Sequence, residues 1–307
     1  MVDFSAAVAR FETLLGQLDE AFKFCRSLGL TPERGRFGQY QTDVASLADL
    51  ARAGGAESLS PDDREAMQQS ATRHRVALWE GRELVAMLPY LACAPRGQVA
   101  PKLAAMLTGP ALPVDEDADS NYARNIQFEL LLASTLSRAG YMPVLGEHPD
   151  VRIEPNGRAI LFECKRVFSP AKVSVRIRDA GEQLRRDLKH HPSSSLGVVV
   201  VSLSPLLNPT GDAFQMPNRE RGQWALGEWL DRAARAAQAD YQELFRRSLA
   251  VAAFFFADSD FFNLETGAYE HGTHFVVDQF VPPSASYRPT LELLQQRLEA
   301  QTRVDAS

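Results

Sequence analysis

The sequence predicts a mixed α/β protein in two parts: an all-helical N-terminal region over residues 1–110 and an α/β domain over 121–307 built on a mixed sheet flanked by helices. Three observations carry this. Apolar residues recur at helical spacing, without strand-like alternation, through the first part. In the second part an Asn-Gly turn joins two strand-like segments. Beyond them the valine-rich run from Leu196 to Leu203 has the character of a strand buried on both faces.

Taken in order, Ala6, Val8, Phe11, Leu14, Leu15, Leu18 and Phe22 mark a first helix. Thr31-Pro32-Glu33 and Ser60-Pro61-Asp62-Asp63 each place a capping residue before a proline at the first helical position. The second of these opens a long helical stretch to Leu88, one helix or a broken pair, that Pro89 is expected to stop. Residues 111–120, with Pro113 and the acidic run Asp115 to Asp119, have linker composition. A helix from Asn121 to Ala139 then ends at Gly140, a residue suited to the left-handed position past a helix end. A short apolar piece, Tyr141 to Leu145, precedes the hairpin of Asp150 to Glu154 and Ala159 to Val167, turned by Pro155-Asn156-Gly157. The next helix, Val173 to His190, carries Val173, Ile177, Ala180, Leu184 and Leu188 on one stripe. After the valine strand come a loop over 204–218, a helix over 219–247, strands at Leu249 to Ala257 and Thr273 to Phe280, and a last helix from Pro289 to Ala300.

Composition bounds the function less sharply. No basic-then-apolar leader and no apolar run of bilayer length is present, so a soluble cytoplasmic protein without a membrane partner is expected. Cys25, Cys93 and Cys164 show no zinc-ligand spacing and read as free, mostly buried thiols. A net charge of −6 weighs against a nucleic-acid partner, yet residues 120–191 hold 12 basic and eight acidic side chains and are net positive.

The chemistry concentrates in that positive segment. Alternation along Ile160-Leu161-Phe162-Glu163-Cys164-Lys165 puts Leu161, Glu163 and Lys165 on one face and Ile160, Phe162 and Cys164 on the other. On an exposed strand a Glu and a Lys two apart are an ordinary ion pair. Here the strand is otherwise apolar, and buried charge needs a metal or a partner. Asp150, after Pro149, starts the strand that folds back on this one, so two carboxylates meet near a hairpin and offer hard oxygen ligands to Mg²⁺ or Mn²⁺. Glu129 is a third acid. Ile126, Ala133 and Leu136 share its helical stripe, so it too lies on a face meant for the sheet.

Glu129 on a helix, Pro149-Asp150 at a strand start, Glu163-Cys164-Lys165 on the next strand, then a helix and a buried strand: this order resembles the PD-(D/E)XK nuclease superfamily and its restriction-endonuclease-like fold. The resemblance spans residues 121–203. It implies a Mg²⁺- or Mn²⁺-dependent phosphodiesterase acting on DNA, an endonuclease of defence or repair, with Glu129, Asp150, Glu163 and Lys165 catalytic. Asp150, Glu163 and the Cys164 carbonyl would hold the metal, and Lys165 would orient water and offset transition-state charge. In some members a polar residue on the corresponding helix faces the site, which adds Gln183. Arg176 and Arg186 on the same helix are candidate phosphate contacts, against the plainer reading of a solvated basic face. RNA is left open as substrate, as are a homodimer and a non-catalytic assembly module. The remaining groups read as structural: His190-His191 as a helix end, Asp258 and Asp260 as turn residues, and Trp224 and Trp229 as a packing stripe; His271 and His274, with Glu270 nearby, have a spacing that could ligate a metal on a helix, but their surroundings read as a loop entering a strand.

Overall fold

The computed structural model describes residues 4–54, 60–116, 121–207, 213–247, 250–266, 268–279 and 287–305. The chain divides into two compact units, Met1–Gln127 and Phe128–Ser307.

The first unit is helical, as the periodicity predicts. Helices α1 (Phe4–Ser27), α2 (Arg36–Arg52), α3 (Pro61–Cys93) and α4 (Arg96–Met106) bury Leu18, Phe22, Phe37, Tyr40, Leu84, Met87, Leu91 and Leu103 among one another. Pro89 does not end α3, which runs on to Cys93. A mid-helix proline costs about 3 kcal/mol. The buried Met87, Tyr90 and Leu91 on either side of it hold the helix together. A buried charge network crosses this unit. Glu80, 1% exposed, takes Arg36 at 2.8 Å and Arg124 at 2.6 Å. Arg124 also faces Glu116 at 3.1 Å and donates to Tyr40 Oη, whose own hydroxyl donates to the Ala111 carbonyl at 2.6 Å.

Helix α5 (Tyr122–Arg138) contains the division between the units. It therefore falls two turns later than the expected linker at 111–120, because Arg124 bonds back to Glu80 and Gln127 to Glu83. Within the linker, Pro113–Asp115 forms a single 3-10 turn, and residues 117–120 lie outside the described residues.

The second unit is a mixed α/β structure on a seven-stranded sheet. Strands β1 (Val144–Leu145), β2 (Val151–Ile153) and β3 (Ile160–Arg166) run antiparallel in succession, and β3 pairs in parallel with β4 (Leu196–Ser202) through the crossover helix α6 (Val173–Asp187). Asn156 and Gly157, at φ 53° and 73°, make the predicted hairpin turn. Every residue of β4 is buried, as its valine run requires.

Downstream of β4 the structure departs from the sequence expectation. The expected loop at 204–218 contains a helical turn, α7 (Ser204–Leu207), and a strand, β5 (Phe214–Met216), with residues 208–212 outside the described set. Helix α8 (Arg219–Arg247) leads to β6 (Ala250–Asn263) and β7 (Ala268–Gln279). Strand β6 does not turn at Asp258 and Asp260 but continues to Asn263, since Phe261 and Asn263 are buried and β7 pairs along its whole length. With β7 on one edge, β4 and β5 share the other end to end, β4 against 250–256 and β5 against 261–263. His271 and His274 belong to β7 rather than to a loop, and the side chains of Asp258, Asp260 and His271 lie outside the described residues. Helix α9 (Arg288–Asp305) closes the chain.

Each sheet face has its own packing. Leu161, Val199, Val201 and Phe255 meet Ile177, Ala180 and Leu184 of α6 and Leu226, Leu230 and Ala234 of α8. Trp229 joins this core, but Trp224 is 58% exposed beneath the Arg221 guanidinium and is no part of the stripe. On the opposite face Phe162 packs on Phe254, and Phe128 of α5 packs on Phe256. Among the described residues no helix is long and apolar enough to cross a membrane.

Candidate functional site

The alternation read from β3 is realised. Leu161 lies in the α6 core and Phe162 in the α5 face, so Glu163 and Lys165 project toward α6. Glu163 is 1% exposed. Lys165 Nζ donates to its Oε1 at 2.7 Å, while Oε2 is buried and accepts no hydrogen bond among the described residues. Burial pushes the Glu163 carboxyl up to about 7, with Asp150 adding to the rise and Lys165 opposing it.

Asp150 stands one residue before β2, where the β2–β3 register sets it opposite Glu163. Its Oδ2 accepts the Cys164 backbone N–H at 2.7 Å. The side chain thus supplies a bond of the kind the next ladder residue would make. Asp150 and Glu163 are therefore brought together as expected, with one Asp150 oxygen already engaged by the strand.

Glu129 is 7% exposed on α5. Its charge reaches Cys164, whose buried thiol is raised well above its ordinary value by burial first, then by Asp150, Glu129 and Glu163. Cys164 points away from the Glu163 face, so Glu129 approaches the acid pair from the other side of β3. The expectation of free thiols holds, with Cys25 and Cys164 buried and Cys93 exposed.

Two residues that the sequence pattern passed over complete the Glu163 side. His148, Glu163 and Asp187 offer ligand atoms that all lie within 4.8 Å of one another. Asp187 ends α6 and follows Ala180 and Leu184 on the stripe facing the sheet. The signal that singles out Glu129, an acid on an apolar stripe, applies equally here. Asp187 Oδ2 is also buried without a hydrogen bond among the described residues. His148 precedes Pro149 on the loop entering β2 and is exposed. No local pattern marks it, because only the hairpin closure brings it to Glu163.

Helix α6 sorts the remaining candidates. Gln183 is half-buried one turn before Asp187, whereas Arg176, Arg178, Arg185 and Arg186 are exposed. Eleven positions at about 1.5 Å each put Arg176 some 16 Å along the axis from Asp187. There it faces Asp179 on its own helix at 3.8 Å. Arg186 adjoins Asp187 and stands at the rim. The His271 and His274 region is separate: Glu270 pairs with Arg219 and accepts from Asn263, and His274 lies against Gly227.

A buried carboxylate with one oxygen on a lysine and the other without a hydrogen bond among the described residues, close to a second carboxylate and an imidazole, is a donor set suited to a divalent cation. Comparison with models of known protein families, with curated proteins and with solved structures finds no match to this chain.

Proposed function

We propose that this chain is a divalent-metal-dependent nuclease of the PD-(D/E)XK kind, with a restriction-endonuclease-like core, that hydrolyses phosphodiester bonds in DNA. The observation that carries the reading is Glu163 Oε2, buried and without a hydrogen bond among the described residues, on a carboxylate set beside Asp150 and Lys165. The order α5, β1, β2, β3, α6, β4, in which β3 and β4 are parallel and β2 and β3 antiparallel, supports it.

The residues present fit a cation, with Glu163 as its central ligand. When bound, the cation supplies Lewis acidity to a phosphate oxygen and lowers the pKa of a water. Lys165 does the remaining charge work: held on Glu163 Oε1, its ammonium is fixed where it orients the attacking water and offsets charge on the phosphorane-like transition state. Asp150 keeps β2 seated on β3 through the Cys164 amide, and so keeps both acids in place. The exposed Arg186 and its neighbours Arg185 and Lys189 face solvent as phosphate contacts at the rim.

The test is cleavage of plasmid, linear duplex, single-stranded DNA and RNA in Mg²⁺ or Mn²⁺, with Glu163→Ala and Lys165→Ala proteins alongside. Metal-dependent cutting lost in both variants supports the reading, and the substrate that disappears gives the class. Intact substrates throughout would leave a nuclease-fold assembly module, which the net charge of −6 favours.

A further inference from the structure

We infer that the cation of this site is held by His148, Glu163 and Asp187, and that the imidazole tunes the site to Mn²⁺ or a later transition metal over Mg²⁺. The inference rests on the nuclease reading only for what the bound cation does. Its ligands are read from the geometry.

Three features assign these residues. Their ligand atoms lie within 4.8 Å of one another. Donors about 2.1 Å from one ion stand no more than about 4.2 Å apart, so the set closes on a cation with shifts below an ångström. Glu163, 1% exposed, has Oε1 bonded by Lys165 and Oε2 without a hydrogen bond among the described residues. Asp187, whose ligand atom lies within 4.8 Å, also has a buried Oδ2 without a hydrogen bond among the described residues. Leaving two such carboxylate oxygens buried and unbonded is costly unless a cation satisfies them.

Asp150, by contrast, has Oδ2 engaged by the Cys164 amide. Its part is to position the strand that carries Glu163 and the loop that carries His148. One nitrogen and two carboxylate oxygens are also a softer set than all-oxygen coordination. Imidazole suits the transition metals, while Mg²⁺ prefers oxygen and keeps its waters.

Direct Mn²⁺ binding to the full chain, read as loss of the free Mn²⁺ electron paramagnetic signal, tests this without reference to cleavage. Wild-type protein should bind Mn²⁺ and release it to Mg²⁺ only at large excess. His148→Ala, whose side chain is exposed and leaves the fold intact, and Asp187→Asn should each weaken Mn²⁺ by at least about tenfold. Asp150→Asn, which keeps an acceptor for the Cys164 amide, should weaken it less, and His148→Asp should narrow the preference over Mg²⁺. Wild-type affinity in both His148→Ala and Asp187→Asn overturns the inference, as does a wild-type chain that binds no Mn²⁺. Failure of the nuclease reading looks different: Mn²⁺ bound with the expected losses, and no nucleic acid cut.

Discussion

Asp150 Oδ2 accepts the backbone N–H of Cys164 at 2.7 Å, so an acid at the start of one strand is tied to the neighbouring strand between Glu163 and Lys165. The bond makes the placement of the acids a property of the hairpin.

Asp150→Ala and Asp150→Asn should therefore differ. Alanine leaves a buried amide without an acceptor and should cost about 1–3 kcal/mol, whereas asparagine keeps an oxygen there. Urea denaturation of both variants checks this, and equal loss in the two would show that the hydrogen bond contributes nothing to stability.

Lys165→Ala should lower cleavage by about 10²- to 10³-fold, the usual cost of one positioned transition-state donor. Mn²⁺ binding should survive, because Lys165 is no ligand. Single-turnover kinetics beside a binding titration separates the two effects.

The metal-free protein should lose stability as pH rises. Glu163 binds its proton more tightly in the folded chain, about 7 against 4.5 when unfolded. The stabilisation is full below 4.5 and gone above about 7, a drop of about 3 kcal/mol. Denaturation midpoints between pH 5 and pH 8 should fall in wild type and stay flatter in Glu163→Gln. A wild-type profile with no fall in that window would contradict the buried, proton-holding carboxyl.

Glu80→Ala should destabilise the helical unit by about 3–5 kcal/mol, because it removes the buried carboxylate that Arg36 and Arg124 share and leaves Arg124 with Glu116. Replacing an exposed pair such as Glu20 and Lys23 should change stability by less than about 1 kcal/mol. Calorimetry of both variants measures the contrast.

Much of this architecture is legible in the sequence where signals are local. Leu14, Leu18 and Phe22 announce a helix, Asn156-Gly157 a hairpin, and Val198 to Val201 a strand covered on both faces. The faces of β3 follow from alternation alone, which is why Glu163 and Lys165 could be paired in advance. The failures are tertiary. Nothing near Asp258 shows that β6 continues, because the partner that extends it, β7, comes later in the chain. Pro89 reads as a stop until the buried Met87 and Leu91 beside it are known. His148 and Asp187 are separated by a hairpin and a crossover helix, and only the folded sheet sets them against one carboxylate.

The turn at Asn156-Gly157 has a bearing on how this chain can vary. Strand β3 is held in phase from its far side by β4, so an added or deleted residue between β2 and β3 that the turn does not absorb would leave Glu163 where it is and slip β2 by one position. A one-residue slip reverses which side of the sheet each residue faces, and it would carry Asp150 and the preceding His148 away from Glu163 together. Lineages descended from this sequence can thus exchange residues at 155–158 provided the left-handed backbone is kept, but a change of length there should be met by loss of activity or by a compensating bulge. The spacing from Asp150 to Glu163 is in that sense inherited as a unit.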